Sequence, residues 1–170
     1  VVLVGGIISV FYNYEPNIFI IGLSSIFGGI LLEIADRFKL NKKYTARIDF
    51  KLAIFVGFFQ LLALIPGMSR SGTVITALRI GGISRKESVD FALLTGIPVL
   101  LLASFYGLFS VFFSSTGIPT IFLVICMISF CSALLSIRFI FSWIKFHSFT
   151  LFVIYRIFLG VTILIYYFSK

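Results

Sequence analysis

Long apolar stretches separated by short polar segments follow one another along the whole chain. About 20 apolar residues are needed for a helix to cross a bilayer. By that measure the pattern predicts four membrane-spanning helices: Ile18 to Ala35, Phe91 to Phe113, Pro119 to about Ile137, and Phe149 to Phe168. A shorter apolar run, Val1 to about Phe11, precedes a turn over Tyr12 to Asn17. The pattern therefore predicts an all-α integral membrane protein and a single membrane domain over residues 1–170.

One apolar stretch is too short to cross. Leu52 to Ile65 has fourteen residues and ends at Pro66, and Val74 to Ile80 forms only about two helical turns before the next polar cluster. Basic residues flank both ends of this region, so both ends are expected on the same side of the membrane. The pattern therefore predicts a re-entrant helical hairpin over residues 52–80, with its turn at membrane depth.

Composition and charge agree with a membrane protein. The residues are 60% hydrophobic and 12% charged, and the mean hydropathy is +1.16. The net charge of +8 comes from clusters between apolar runs, which is typical of an orientation signal and not of a nucleic-acid surface. We therefore expect no nucleic-acid partner, and we expect loops 36–51, 79–90 and 138–148 to be cytoplasmic. Glu33 and Asp36, near a helix end, are expected to face water.

The start of the chain predicts a longer protein. Met68 is the first methionine, and Val1 opens directly into an apolar run with no basic leader or cleavage site before Asn13. We therefore expect the chain to be the C-terminal part of a longer protein, beginning inside a transmembrane helix.

The turn of the hairpin has the composition of an oxyanion site. It reads Pro-Gly-Met-Ser-Arg-Ser-Gly-Thr over residues 66–73. Glycines let backbone amides converge, an arginine offers a planar fork, and hydroxyls add donors. The candidate phosphate-binding residues are Gly67, Ser69, Arg70, Ser71, Gly72 and Thr73. The alternative is an ordinary break between two helices, with Pro66-Gly67 as the stop and Ser71 as the cap of the next helix.

At this turn the sequence resembles a known family. Gln60 to Gly72 is similar to the second signature, P-G-x-S-R-S-x-x-T, of the bacterial undecaprenyl-diphosphatases of the bacitracin-resistance type. Gly82 to Arg85, Asp90-Phe91 and Leu94 to Pro98 resemble the stretch after that signature, and Ile154-Tyr155-Arg156 resembles the final helix. The resemblance covers essentially all 170 residues. The threonine of the signature falls on Val74, so Thr73 is expected to substitute for it.

The resemblance implies a fold, an activity and roles for the residues. The fold would be one half of an inverted-repeat architecture, and the activity would be hydrolysis of undecaprenyl diphosphate to the monophosphate in the bacterial plasma membrane, as part of cell-wall synthesis. Arg70 would bind the diphosphate bidentately, Ser69 and Ser71 would contact phosphate oxygens, and Gly67 and Gly72 would supply backbone donors. Gln60 would stand in the place of a glutamate of the other half.

The resemblance also implies what this chain lacks. The catalytic glutamates and histidine, and a magnesium or calcium ion, belong to the other half, so this chain alone is expected to be inactive and to hold no metal ligands. A homo-oligomer is left open. The rival from another class is a transporter or flippase of a lipid phosphate or other anion, because many carriers bind anions at broken helices.

Three other polar features have simpler interpretations. Ser114 to Gly117 is expected to be a plain external loop, and His147, beside Trp143, an interfacial residue. Arg156 lies about two turns inside the last helix, where it is expected either to reach the cytoplasmic headgroups or to pair with a buried acid.

Overall fold

A computed structural model describes residues 17–37, 48–113 and 121–169. Within these ranges every regular element is helical. The elements in chain order are α1 (Ile18–Arg37), α2 (Phe50–Leu61), a short 3-10 helix (Leu62–Leu64), α3 (Arg70–Ile80), α4 (Arg85–Phe113), α5 (Ile121–Ile144) and α6 (Thr150–Phe168). The chain is an all-α integral membrane protein, as the apolar pattern predicts.

Four of the described helices, α1, α4, α5 and α6, are long and apolar enough to cross a membrane. They coincide with the four predicted spans to within two residues, except at one end of α4 and one end of α5. Helix α4 begins at Arg85 instead of Phe91, and α5 continues to Ile144 instead of ending near Ile137. Arg138 therefore lies inside a helix and not in a loop, because one exposed cationic side chain does not interrupt the backbone hydrogen bonds.

The hairpin region forms two short helices around Pro66. Asp49 caps α2 by accepting the Leu52 N–H at 2.8 Å, and the last turn of that helix tightens into the 3-10 segment before the proline. Helix α3 has eleven residues, about three turns. The prediction that the second helix starts at Val74 is wrong, because Arg70 to Thr73 are already helical.

The described residues divide into two compact units. The first contains residues up to Ala92 together with Ser148 onward, and so holds α1, the hairpin, the start of α4 and α6. Its helices α1 and α6 pack closely at two glycines: a Cβ at Gly22 would lie 3.1 Å from the Gly160 carbonyl oxygen, and one at Gly160 would lie 2.7 Å from that of Gly22. Small residues of this kind let helix backbones approach in membranes.

The second unit, Leu93–His147, contains the rest of α4 and all of α5. At the end of α5 the rings of Trp143 and His147 are stacked, with centroids 4.3 Å apart, and His147 is exposed. The interfacial role expected for His147 stays a prediction. The predicted run Val1 to Phe11, the turn before Asn17 and the loop Ser114 to Gly117 lie outside the described residues.

Candidate functional site

The turn between α2 and α3 depends on one glycine. Gly67 has φ +92°, a conformation that side-chain-bearing residues rarely adopt. A Cβ at this position would overlap the Ser24 hydroxyl and the Ile21 carbonyl oxygen, and it would lie 2.9 Å from the Ile21 Cα. The Met68 N–H closes the turn by donating to the Ile65 carbonyl at 3.0 Å. Backbone conformation and the close approach of α1 therefore both require glycine here.

Helix α1 holds the turn through two buried serines. The Ser24 hydroxyl donates to the Pro66 carbonyl, and the Ser25 hydroxyl donates to the Gly67 carbonyl at 3.2 Å. Buried carbonyls at a helix break need such partners, because no water replaces them. The sequence pattern did not assign these serines, since nothing local links them to a turn 42 residues away.

Helix α3 begins with Ser69 as its N-cap. Ser69 has extended backbone angles, and its hydroxyl accepts the Gly72 N–H at 3.1 Å. The interpretation that Ser71 caps this helix is therefore wrong. The Gly72 N–H therefore has a partner within the protein, and its role as a phosphate donor stays a prediction.

Two threonine hydroxyls of α3 are also engaged within the helix. Thr73 Oγ1 donates to the Arg70 carbonyl at 2.8 Å, and Thr76 Oγ1 donates to that of Gly72 at 2.7 Å. Both side chains are buried, as is Val74, which is 1% exposed. The phosphate contact expected of Thr73 stays a prediction, and it would require the hydroxyl to turn away from the helix backbone.

The remaining predicted residues gather at the start of α3. Arg70 occupies its first position, and the hydroxyls of Ser69 and Ser71 lie 3.2 Å apart. Ser69 and Arg70 are half-buried and Ser71 is exposed. This is the positive end of the helix macrodipole, where an anion is stabilised. Gln60 lies half-buried in the last turn of α2.

Arg156 also belongs to this site, although sequence reasoning did not place it there. Its Nη2 donates to the Gly67 carbonyl at 3.1 Å, and the two residues are 89 apart in sequence. Among the described residues this contact takes the place of the expected pairing with a buried acid, and contact with headgroups stays a prediction. An arginine within an apolar helix indicates that a polar partner lies nearby. The sequence pattern does not show that this partner is the Gly67 carbonyl.

A second polar cluster lies at the other end of α3. The Asp36 carboxylate is 2% exposed and accepts from Arg79 Nε at 3.0 Å, from Arg85 Nε at 2.9 Å and from the Phe149 N–H at 3.3 Å. Burial lowers the pKa of Arg79, and the charge of Asp36 opposes that shift. The prediction that Asp36 faces water is wrong, because three separate segments enclose it.

Glu33, one turn earlier in α1, is only partly exposed. Its carboxylate accepts from Arg37 Nε at 2.7 Å and from the Thr150 hydroxyl at 3.2 Å. The described residues hold no group of three or more His, Cys, Asp or Glu side chains placed to bind a metal ion. The carboxylates of Glu33 and Asp36 instead serve to join α1 to its neighbours.

Comparison with known proteins gives one consistent result. The profile of the family described as "Bacitracin resistance protein BacA" matches residues 1–162. A protein named undecaprenyl-diphosphatase from Lactococcus lactis subsp. cremoris is 33% identical over 164 residues, which is 92% of this chain and 57% of that protein. Proteins of the same name from Pelagibacter ubique and Leptospira biflexa are 34% and 37% identical, covering 89% and 87% of this chain and 59% and 53% of their own length.

The chain thus spans somewhat more than half the length of these curated relatives. The family profile covers nearly all of it, including the turn, α3 and Arg156. On these grounds the chain belongs to the bacitracin resistance protein BacA family.

Proposed function

We propose that the protein containing this chain is an undecaprenyl-diphosphatase of the bacterial plasma membrane. It would hydrolyse undecaprenyl diphosphate to undecaprenyl phosphate and inorganic phosphate, and so return the lipid carrier to cell-wall synthesis and confer bacitracin resistance. The name shared by the relatives supports the activity, and the helices long enough to cross a membrane support a lipid substrate.

The observation that carries this proposal is the arrangement at the start of α3. Ser69, Arg70 and Ser71 lie at the positive end of a helix dipole. The turn before them is held by hydrogen bonds from two serines of α1 to its backbone carbonyls. A guanidinium can bind two non-bridging phosphate oxygens at once, and a serine hydroxyl can donate to a third. The site therefore offers several donors to a phosphoryl group rather than a single charge.

These residues would act mainly on the charge of the reacting phosphate. Water attacks the terminal phosphorus, the bond to the bridging oxygen breaks, and undecaprenyl phosphate leaves as inorganic phosphate forms. Arg70 neutralises charge that develops on the phosphoryl oxygens, while Ser69 and Ser71 hold those oxygens in place. Gly67 shapes the turn, and its carbonyl oxygen accepts hydrogen bonds from Ser25 and Arg156. Donation by its N–H to the phosphate stays a prediction.

Other parts of the reaction would come from outside the described residues. Activating the water needs a proton acceptor, and the carboxylate of Asp36 is bound by two arginines at the far end of α3. A divalent cation, magnesium or calcium, would likewise need ligands from the remainder of the protein, because the described residues do not provide a matching set. Gln60, in the last turn of α2, would be limited to hydrogen bonding.

The apolar surface supplies a place for the prenyl chain. The outward faces of α1 and α6 expose large apolar side chains, among them Phe27 and Phe158. A lipid tail lying against such faces leaves its diphosphate free to enter a polar turn set between helices.

The test separates an enzyme from a carrier. Purified full-length protein is given undecaprenyl diphosphate in detergent, with added magnesium or calcium or with a chelator, and released phosphate is measured. The same protein in vesicles is assayed for movement of undecaprenyl phosphate between leaflets. Phosphate release by the wild-type protein supports the proposal. Leaflet exchange without phosphate release contradicts it and favours a flippase.

A further inference from the structure

Two donors from different helices meet on one carbonyl oxygen behind the turn. Arg156 Nη2, from α6, donates to the Gly67 carbonyl at 3.1 Å, and the Ser25 hydroxyl, from α1, donates to the same oxygen at 3.2 Å. The Gly67 peptide therefore has a fixed direction. Gly67 lies two residues before the N-cap of α3, so a change in the direction of its peptide would be passed on to the start of that helix.

The protein makes room for this guanidinium with two glycines. A Cβ at Gly28 in α1 would lie 2.7 Å from Arg156 Nη2, and a Cβ at Gly72 in α3 would lie 3.0 Å from Nη1. A Cβ at Gly28 would require the guanidinium to shift, and one at Gly72 would make a tight contact with it. The guanidinium thus lies between Gly28 of α1 and Gly72 in the first turn of α3.

The charge of Arg156 is not used to form an ion pair inside the described structure. Among the described residues, Arg37, Arg79 and Arg85 form ion pairs with carboxylates, whereas Arg156 does not. A half-buried arginine in an apolar helix costs several kcal/mol unless something polar receives it. Here a carbonyl receives one N–H group, and the positive charge adds to the dipole at the start of α3.

We propose that Arg156 is a positioning residue of the anion site. It holds the Gly67 carbonyl jointly with Ser25, and through that carbonyl it sets the position of Ser69, Arg70 and Ser71 relative to the bound phosphate. The inference rests on the proposed diphosphatase activity and assigns a task to a residue that would not itself touch the substrate.

The experiment compares kcat and KM of full-length variants on undecaprenyl diphosphate. Arg156→Met is expected to lower kcat about 10- to 100-fold with KM within about threefold, because a displaced turn mainly weakens transition-state contacts. Arg156→Lys keeps a charge and one donor and is expected to stay within about fivefold of the wild-type kcat. The matched control is Arg138→Met, at an exposed arginine of α5, which is expected to leave both constants unchanged.

A double mutant tests whether the two donors act through one carbonyl. Ser25→Ala alone is expected to lower kcat about two- to fivefold, and the Ser25→Ala and Arg156→Met losses should combine non-additively. If Arg156→Met does not fold, as judged by circular dichroism in detergent, the Ser25→Ala and Arg156→Lys variants decide. In that case an unchanged kcat in Ser25→Ala, or no recovery by lysine in a folded protein, overturns the inference.

The outcomes separate this inference from the proposed function. An active wild-type protein with unchanged kcat in a folded Arg156→Met variant overturns the positioning role alone. A wild-type protein that releases no phosphate under any of the cation conditions overturns the proposed function, and this inference with it.

Discussion

Replacing Gly67 with alanine is the sharpest perturbation of the turn that the structure offers. The left-handed φ of +92° costs an alanine about 1–2 kcal/mol. The added Cβ would also overlap the Ser24 hydroxyl, which can rotate, and the Ile21 carbonyl, which cannot move without shifting α1. Overpacking of this kind typically costs about 1–3 kcal/mol, so the total is about 2–5 kcal/mol. Either α3 moves away from α1 or the free energy of unfolding falls by this amount.

A matched control exists in the preceding helix. Gly57 is an exposed residue of α2, and a Cβ there would meet nothing within 4 Å. Gly57→Ala is therefore expected to leave activity unchanged and to raise stability by up to about 1 kcal/mol, as for glycine inside a helix. Both variants of the full-length protein are unfolded by titration with a denaturing detergent followed by circular dichroism, and phosphate release is measured in parallel. A Gly67→Ala protein with wild-type stability and wild-type turnover would refute the reasoning.

Three further substitutions test the contacts around α3. Asp36→Ala leaves Arg79 and Arg85 without their shared carboxylate and is expected to lower the free energy of unfolding by about 3–5 kcal/mol. An unchanged midpoint of detergent unfolding would show that these ion pairs do not stabilise the protein. Ser69→Ala removes the helix cap and is expected to lower the free energy of unfolding by about 1 kcal/mol and also to lower kcat/KM. Ser71→Ala is expected to lower kcat/KM alone. Equal stabilities of the two variants would rule out the capping role of Ser69. Gly160→Leu is expected to separate α6 from α1 and to destabilise the protein. Gly107→Leu, at an open position of α4, is expected to leave stability unchanged. Equal unfolding midpoints for the two variants would contradict close packing at Gly160.

Local pattern predicts the elements of this fold but not its long-range contacts. Apolar runs predict the positions of α1, α4, α5 and α6, because membrane thickness sets a minimum length that few other segments reach. The turn is predicted because proline fixes its own φ and glycine permits φ values that other residues rarely adopt. Helix ends were less well predicted: Arg138 lies within α5, and α3 begins four residues before Val74.

In the candidate site, too, the sequence predicts neighbouring residues but not contacts between distant ones. Ser69, Arg70 and Ser71 are adjacent in sequence, so a short motif predicts them together. Arg156 and Asp36 contact residues 89 and 43 positions away, and only the packing of helices reveals those partners. Gly72 and Thr73 show a further limit of sequence reasoning, because a motif does not reveal which donors already have partners within the helix. The Gly72 N–H donates to the side chain of the capping residue, and the Thr73 hydroxyl donates to a backbone carbonyl of its own helix. A phosphate would use the same two donors.

The claim on which the rest depends is that Arg70 binds the diphosphate at the start of α3. The most direct measurement is kcat/KM for phosphate release from undecaprenyl diphosphate by full-length Arg70→Ala, with Arg37→Ala as the control at an exposed arginine remote from the turn. Loss of a bidentate contact to the transition state predicts a fall of about 100- to 1000-fold in Arg70→Ala, with circular dichroism unchanged and the control fully active. A folded Arg70→Ala protein with wild-type turnover would contradict the account.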